Sequence, residues 1–135
     1  MSEGSWVRRS LEEAVALATE TQNAAAIACL EEGLRRARQL QDRDAISSLA
    51  RHAGLQSYHL GEYQQAVTYY EEALGSKPTD AWLHLALAEA YAAMEQAAQA
   101  RQALEVGLAI AIQNGDAELA EIIRGKAVSS DTSAK

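Results

Sequence analysis

An all-α fold built from repeated helical hairpins is what this sequence predicts, and three observations carry the prediction. Alanine is abundant, Phe is absent and Pro occurs once, a mixture that favours helices over sheets. The chain also resembles itself at a spacing of 34 residues. "HAGLQSYHLGEYQQAVTYYEEAL" aligns with "HLALAEAYAAMEQAAQARQALEVGL", matching Ala66 to Ala100, Gly54 to Ala88, Tyr70 to Leu104 and Ala73 to Gly107. Finally, short breaks punctuated by Gly, Pro, Asn and Asp divide the chain into helix-length pieces. A period of this size marks stacked supersecondary units that cannot bury their apolar faces alone.

The helices are placed near residues 7–19, 24–41, 44–60, 63–75, 79–94, 97–113 and 116–127, with breaks at "ETQN", "QDRD", "LGE", "GSKPT" and "NGD". The first two form an earlier copy, "LEEAVALATETQNAAAIACLEEGL", with Ala14, Ala26, Leu30 and Gly33 in the repeating roles. From Ala26 to Ala66 the step is 40 residues; the excess sits in "LRRARQLQDRDAI", which lengthens a helix and its connection. Glu31–Arg35 and Glu32–Arg36 stand i,i+4 in the order that supports the second helix. In the central hairpin, Gly54 and Ala66 can be close-approach points and Ala73 admits the next repeat. Tyr63 and Tyr70 fill the volume around them, Gly61 closes the turn, and Pro78 stops the helix. The tail "SSDTSAK" is small and polar and is expected to be disordered.

Composition bounds the function. With 48% apolar and 23% charged residues over 135 positions, the chain is composed like a soluble domain that needs neither disulfide nor metal for its core. No stretch is long and apolar enough to read as a membrane span or a signal peptide, so a cytoplasmic location is expected. Net charge is −7, and residues 61–135 carry five basic against eleven acidic side chains. Such a surface disfavours general binding to phosphate backbones. Cys29 is the only cysteine, so no intramolecular disulfide forms, and it reads as a small buried hydrophobe.

The residues of the central copy resemble those of the tetratricopeptide repeat family. Gly54, Gly61, Tyr63, Ala66, Tyr70, Ala73 and Pro78 stand where that family's pattern expects them. Residues 81–114 keep Leu87, Ala88, Tyr91, Ala100 and Leu104, while Glu95, Ala97 and Ile112 replace the turn Gly, the aromatic and the Pro. The last helix of that hairpin is therefore expected to run on to Asn114. The resemblance implies a right-handed solenoid of three repeats, about 7–46, 47–80 and 81–114, with a capping helix about 116–127. It makes residues 1–128 one domain, followed by a disordered tail over 129–135.

That resemblance also implies a function: a non-enzymatic adaptor or scaffold that holds a protein or peptide segment in a concave groove lined by the first helix of each repeat. Mapped here, the groove face takes Arg8, Leu11, Val15 and Ala18, then Ser48, Arg51, Leu55, Tyr58 and His59, then Trp82, Leu85, Glu89, Ala92 and Ala93. Arg51, Leu55, Tyr58, Trp82, Leu85 and Glu89 are the expected contacts, because aromatic side chains and Arg make large anchors with a polar handle. Some members hold the acidic carboxyl end of a heat-shock protein in a clamp of Lys, Arg and Asn. Arg51 fits one clamp position, but Leu55, Leu85 and Ala86 stand where others are needed, so no heat-shock carboxylate clamp is expected.

Other features are weighed on their residues. His52 and His59 lack a Cys or carboxylate at ligand spacing, so no metal is expected. The basic run Arg35, Arg36, Arg38, Arg43 offers a face for RNA or an acidic partner, against a solvated helix face flanked by Glu31, Glu32, Asp42 and Asp44. The stripe "LEVGLAIAI" (104–112) is core if Leu119, Ile122 and Ile123 cover it, and otherwise an exposed dimer or partner patch; the alternative function is a structural protein that self-assembles as a homo-oligomer through its outer faces or its two ends. Phosphate loops, nucleophile elbows and metal boxes are missing, and adjacent carboxylates such as Glu71 and Glu72 diverge by about 100° on a helix. No catalytic residue and no cofactor are expected.

Overall fold

The computed structural model describes residues 5–19 and 23–133. Among them are seven α-helices and no strand: α1 Ser5–Thr19, α2 Asn23–Leu40, α3 Arg43–His59, α4 Tyr63–Ser76, α5 Ala81–Ala93, α6 Ala97–Gln113 and α7 Ala117–Ser133. The break expected after α1 falls largely on residues 20–22, outside those described. The helices gather into two compact units, Met1–Pro78 and Thr79–Lys135, where the repeats suggest one domain over residues 1–128. The division follows Pro78, whose ring cannot continue a helix.

One turn geometry recurs at four of the connections. Gln41, Gly61, Glu95 and Gly115 each adopt positive φ, at 53°, 81°, 61° and 74°. In each case the next amide reaches back to a carbonyl five residues earlier: Asp42 to Ala37, Glu62 to Ser57, Gln96 to Tyr91 and Asp116 to Ala111, at 2.9 to 3.0 Å. This is the six-residue closure of a Schellman turn. Asp then caps three of the helices that follow a break: Asp42 accepts from Ala45 N, Asp80 from Trp82 N and Asp116 from Leu119 N. The caps satisfy amides that the first turn leaves without helical partners.

In the first unit α1 packs on α2 and α3, α2 on α3, and α3 on α4. Its core is Ala26, Leu30, Leu34, Ala37, Leu49, Ala50, Ala53, Ala66, Val67, Tyr70 and Ala73, all at or near zero exposure. Small residues set the helix spacing. A Cβ added at Gly33 would meet Leu49 Cδ1 and Ser10 Oγ, each at 3.2 Å, so α2 lies against both α1 and α3 there. In the second unit α5 packs on α6 and α7, and α6 on α7, around Leu83, Leu87, Ala90, Leu104, Ala111, Leu119 and Ile123.

Several expectations need correction. α7 continues to Ser133 instead of ending near 127 and giving way to a disordered tail. No Pro interrupts it, and Lys126 and Ala127 are good helix formers. Residues 134–135 lie outside those described. The stripe 104–112 is only partly covered: Leu104, Gly107 and Ala111 are buried under Leu119 and Ile123, while Val106, Ile112 and Ile122 are exposed. Cys29 is half-buried, not buried, with its thiol 3.7 Å from both Ser10 O and a Glu13 carboxylate oxygen. Burial pushes its pKa up, and Glu13 adds to that rise.

Candidate functional site: the exposed strips of α3 and α5

α3 is divided cleanly along its length. Ala45, Leu49, Ala50, Ala53, Gly54, Gln56 and Ser57 are buried, leaving an arc of exposed and half-buried residues: Ser48, Arg51, His52, Leu55, Tyr58 and His59. At 3.6 residues per turn these positions fall on one side, turned from Leu49 and therefore from α2. Leu55 is 42% exposed, unusual for a leucine with an adjacent core to enter. Tyr58 is half-buried and sets its ring edge-on to Tyr63, at 5.3 Å between centroids, and to His59 at 6.0 Å. These contacts hold the ring at the strip's end in an orientation favoured by aromatic quadrupoles. His52 is fixed by a 2.8 Å contact of Nδ1 with the Ser48 carbonyl.

The corresponding strip on α5 is narrower. Trp82 is 50% exposed on the first turn, where its own amide is held by Asp80. Ala86, Glu89 and Ala93 follow it at helical spacing and are half-buried or exposed. Leu85 does not belong to this strip. It is only 5% exposed and stands with the buried residues of α5. Thus Arg51, Leu55 and Tyr58 share one strip of the first unit, Trp82 and Glu89 share one of the second, and Leu85 is core. On α1 the expected residues Arg8 and Val15 are exposed and Leu11 is half-buried; the side chain of Ala18 lies outside those described.

The basic run is spent on contacts within the first unit. Arg38 forks onto Glu72 at 2.7 and 2.8 Å and reaches Glu31 at 3.2 Å. Tyr69 donates its hydroxyl to the other Glu31 oxygen. Arg35 pairs with Glu32 at 2.9 Å, Arg36 lies 4.7 Å over the Trp6 ring, and Arg43 donates to the last carbonyls of α4, Gly75 and Ser76. The expected pairs Glu31–Arg35 and Glu32–Arg36 are therefore replaced, because partners on α1 and α4 and at i+3 take those charges. The hydrogen bond to Glu72 raises the Arg38 pKa against the opposing effect of burial. Burial and then the Glu31 hydrogen bond raise that of Tyr69. A face for RNA over Arg35–Arg43 would have to compete with all these partners. The one trace of this network in the sequence is that Arg38 and Glu72 stand 34 residues apart, one repeat period.

No helix among the described residues is long and apolar enough to cross a membrane. Compared with known proteins, residues 58–122 match the family model described as tetratricopeptide repeat. No curated protein matches the chain. Among solved structures, the TPR2B domain of yeast Sti1, in its pHsp70 complex, is similar with a TM-score of 0.82 at 14% identity. The match covers 94% of this chain and 97% of that one. A double mutant of MamA (MamA RS-1 ArsTM) is similar with a TM-score of 0.63 at 16% identity, over 99% of this chain and 79% of that one. At such identities the likeness is one of fold: all-α, of the helical-hairpin solenoid type. The repeat model thus matches residues 58–122 and the repeat-type fold extends over nearly all of the chain: residues 58–122 carry tetratricopeptide repeats within an all-α helical-hairpin solenoid.

Proposed function

We propose that this protein is a non-enzymatic adaptor that binds partner protein through the exposed strip of α3 in its first unit and the exposed strip of α5 in its second. The repeat fold supports the general class, since its members serve as protein-interaction modules. The observation that carries the reading is the exposure of Trp82 and Leu55 at positions that the family resemblance maps to a partner-binding face. A half-exposed Trp and a half-exposed Leu cost solvation in the free protein, and a partner's apolar side chain relieves that cost. Arg51 and Glu89 would set orientation. The adaptor would work in the cytoplasm as one repeat domain, assisting assembly of a larger complex.

The test is capture from a native lysate, read by mass spectrometry, with wild-type protein and with a variant carrying Arg51→Ala, Leu55→Ala and Trp82→Ala. A protein held by the first bait and lost by the second, with helicity intact, supports the reading. Equal capture by both moves binding elsewhere on the molecule. A second reading, self-assembly, is favoured by the exposure of Val106, Ile112 and Ile122. Light scattering that shows a monomer at high concentration removes it.

A further inference from the structure

The helix α1 meets α2 along one antiparallel seam. Arg36 lies 4.7 Å over the Trp6 ring. Ser10 Oγ lies 3.2 Å from where a Cβ on Gly33 would stand. The Cys29 thiol is 3.7 Å from both Ser10 O and a Glu13 carboxylate oxygen. Trp6, Ser10 and Glu13 thus follow one another at helical spacing on α1, and Arg36, Gly33 and Cys29 answer them in reverse order at helical spacing on α2. The chemistry of this seam sets it apart. Where α2 meets α3 and α3 meets α4, the buried side chains of Leu49 and Tyr70 close on Gly33 and Gly54. Here a hydroxyl, a carboxylate, a thiol and a guanidinium meet around one indole.

Little else anchors α1. Among its described side chains, residues 5–16, Ala14 alone is buried; Trp6, Val7 and Leu11 are half-buried, and Val15 is 50% exposed. Trp6 Nε1 is buried with no hydrogen-bond partner among the described residues, so docking takes that donor from water without replacing the bond. A helix of 15 residues is marginal by itself, and of the first unit's helices α1 leaves its neighbours at the least cost. One helix is shown to fit the face it leaves: α1, with an aromatic for Arg36, a small side chain for Gly33 and a carboxylate beside Cys29. Every copy of the chain carries that helix. Exchange of an identical element rebuilds the same seam between copies, a low-cost route to a dimer. Short hinges invite it, and only residues 20–22 separate α1 from α2. We propose that the face beneath α1 is an interaction surface for a second copy of this chain, which docks its own α1 there in a reciprocal exchange. This surface is separate from the α3 and α5 strips, so it stands or falls apart from the adaptor reading.

The experiment uses the full chain carrying Glu13→Cys, prepared in ordinary and in heavy-nitrogen form. Glu13 is exposed, so the variant is expected to fold, and an unchanged melting curve checks it. The two forms are mixed over a range of concentrations, incubated, and treated with a short bismaleimide that bridges position 13 to Cys29. Mass spectrometry of the digest then reads whether each bridged pair of peptides is light, heavy or mixed. The expected result is mixed pairs whose share grows with protein concentration, together with a dimer in light scattering. Pairs of a single isotope at every concentration overturn the proposal. Mixed bridges that join Cys29 to Cys29 as often as to position 13 mark random collision and overturn it as well.

A second measurement leaves Glu13 in place. Cys29 is the only cysteine, and its labelling by dithionitrobenzoate under native conditions is timed in wild type and in Trp6→Ala. The indole stands about two helical turns from Glu13, too far to shield the thiol directly. Its removal should speed labelling by about tenfold, because α1 leaves as a unit once the contact with Arg36 is lost. Equal rates in the two proteins overturn the undocking and the exchange with it. Faster labelling without mixed pairs at any concentration means that α1 opens and returns only to its own chain, which overturns the second copy as the occupant.

Discussion

Gly54 lies so close to the ring of Tyr70 that a Cβ added to it would stand 2.6 Å from Cε1 and 2.7 Å from Cδ1. Tyr70 is 2% exposed in the packed core of the first unit, so its ring has little room to move. Gly54→Ala should therefore destabilise the protein by about 1–3 kcal/mol, the cost of overpacking a filled core. Urea denaturation, with the slope unchanged and the midpoint lowered, checks this. A neutral result would mean that α3 and α4 can slide apart.

The left-handed turns give a prediction of opposite sign. Glu95 holds φ at 61°, a conformation that a side chain disfavours by roughly 1–2 kcal/mol and that Gly adopts without strain. Glu95→Gly should raise stability by about 0.5–1 kcal/mol once the added freedom of the unfolded chain is subtracted. Gly61→Ala, at φ 81°, should lower it by about 1 kcal/mol. Thermal melts of the two variants should move in opposite directions from wild type.

Arg38 and Glu72 form a two-pronged bridge between α2 and α4, but the two side chains are 42% and 29% exposed. Screening by solvent limits such a pair to less than about 1 kcal/mol. A double-mutant cycle with Arg38→Gln and Glu72→Gln should give a coupling of that order, reduced in high salt.

Tyr69 makes the same network sensitive to alkali. Its folded pKa is raised above the unfolded value near 10, by burial first and then by the hydrogen bond to Glu31. The folded state holds the phenolic proton longer than the unfolded one. That contribution is complete below pH about 10 and is lost as pH rises beyond it. Wild type should thus lose stability from pH 10 upward more steeply than Tyr69→Phe, as measured by urea midpoints at pH 8, 10 and 11.

Leu85 and Trp82 should separate stability from binding. Leu85→Ala removes a buried side chain and should cost about 2–5 kcal/mol. Trp82→Ala removes one that is 50% exposed and should cost under about 1 kcal/mol while weakening partner capture. If Trp82→Ala melts as early as Leu85→Ala, then the indole is structural and the α5 strip loses its anchor.

The helix boundaries were legible because their causes are local. Asp42, Asp80 and Asp116 cap helices, Gly61 and Gly115 permit left-handed turns, and Pro78 ends α4. Those effects act within a few residues and need no partner. The exposed strip of α3 was anticipated through the family resemblance, and the structure accounts for it physically: a helix buried against α2 and α4 leaves a fixed arc outside, whose members recur with the 3.6-residue period. Glu95 shows where local signals fall short, since its turn closes as the glycine turns do without the glycine.

The all-α repeat and its period were thus determined by the sequence alone, because each follows from spacing along the chain or from residues in contact with their neighbours in it. Tertiary structure decided that Leu85 is core while Trp82, three residues before it on α5, is exposed, since the width of a buried arc depends on what packs against the helix. It likewise decided that Arg38 belongs to Glu72, 34 residues away. Charges on a helix surface choose among whatever the fold brings within about 4 Å, and that choice is not written in any single helix.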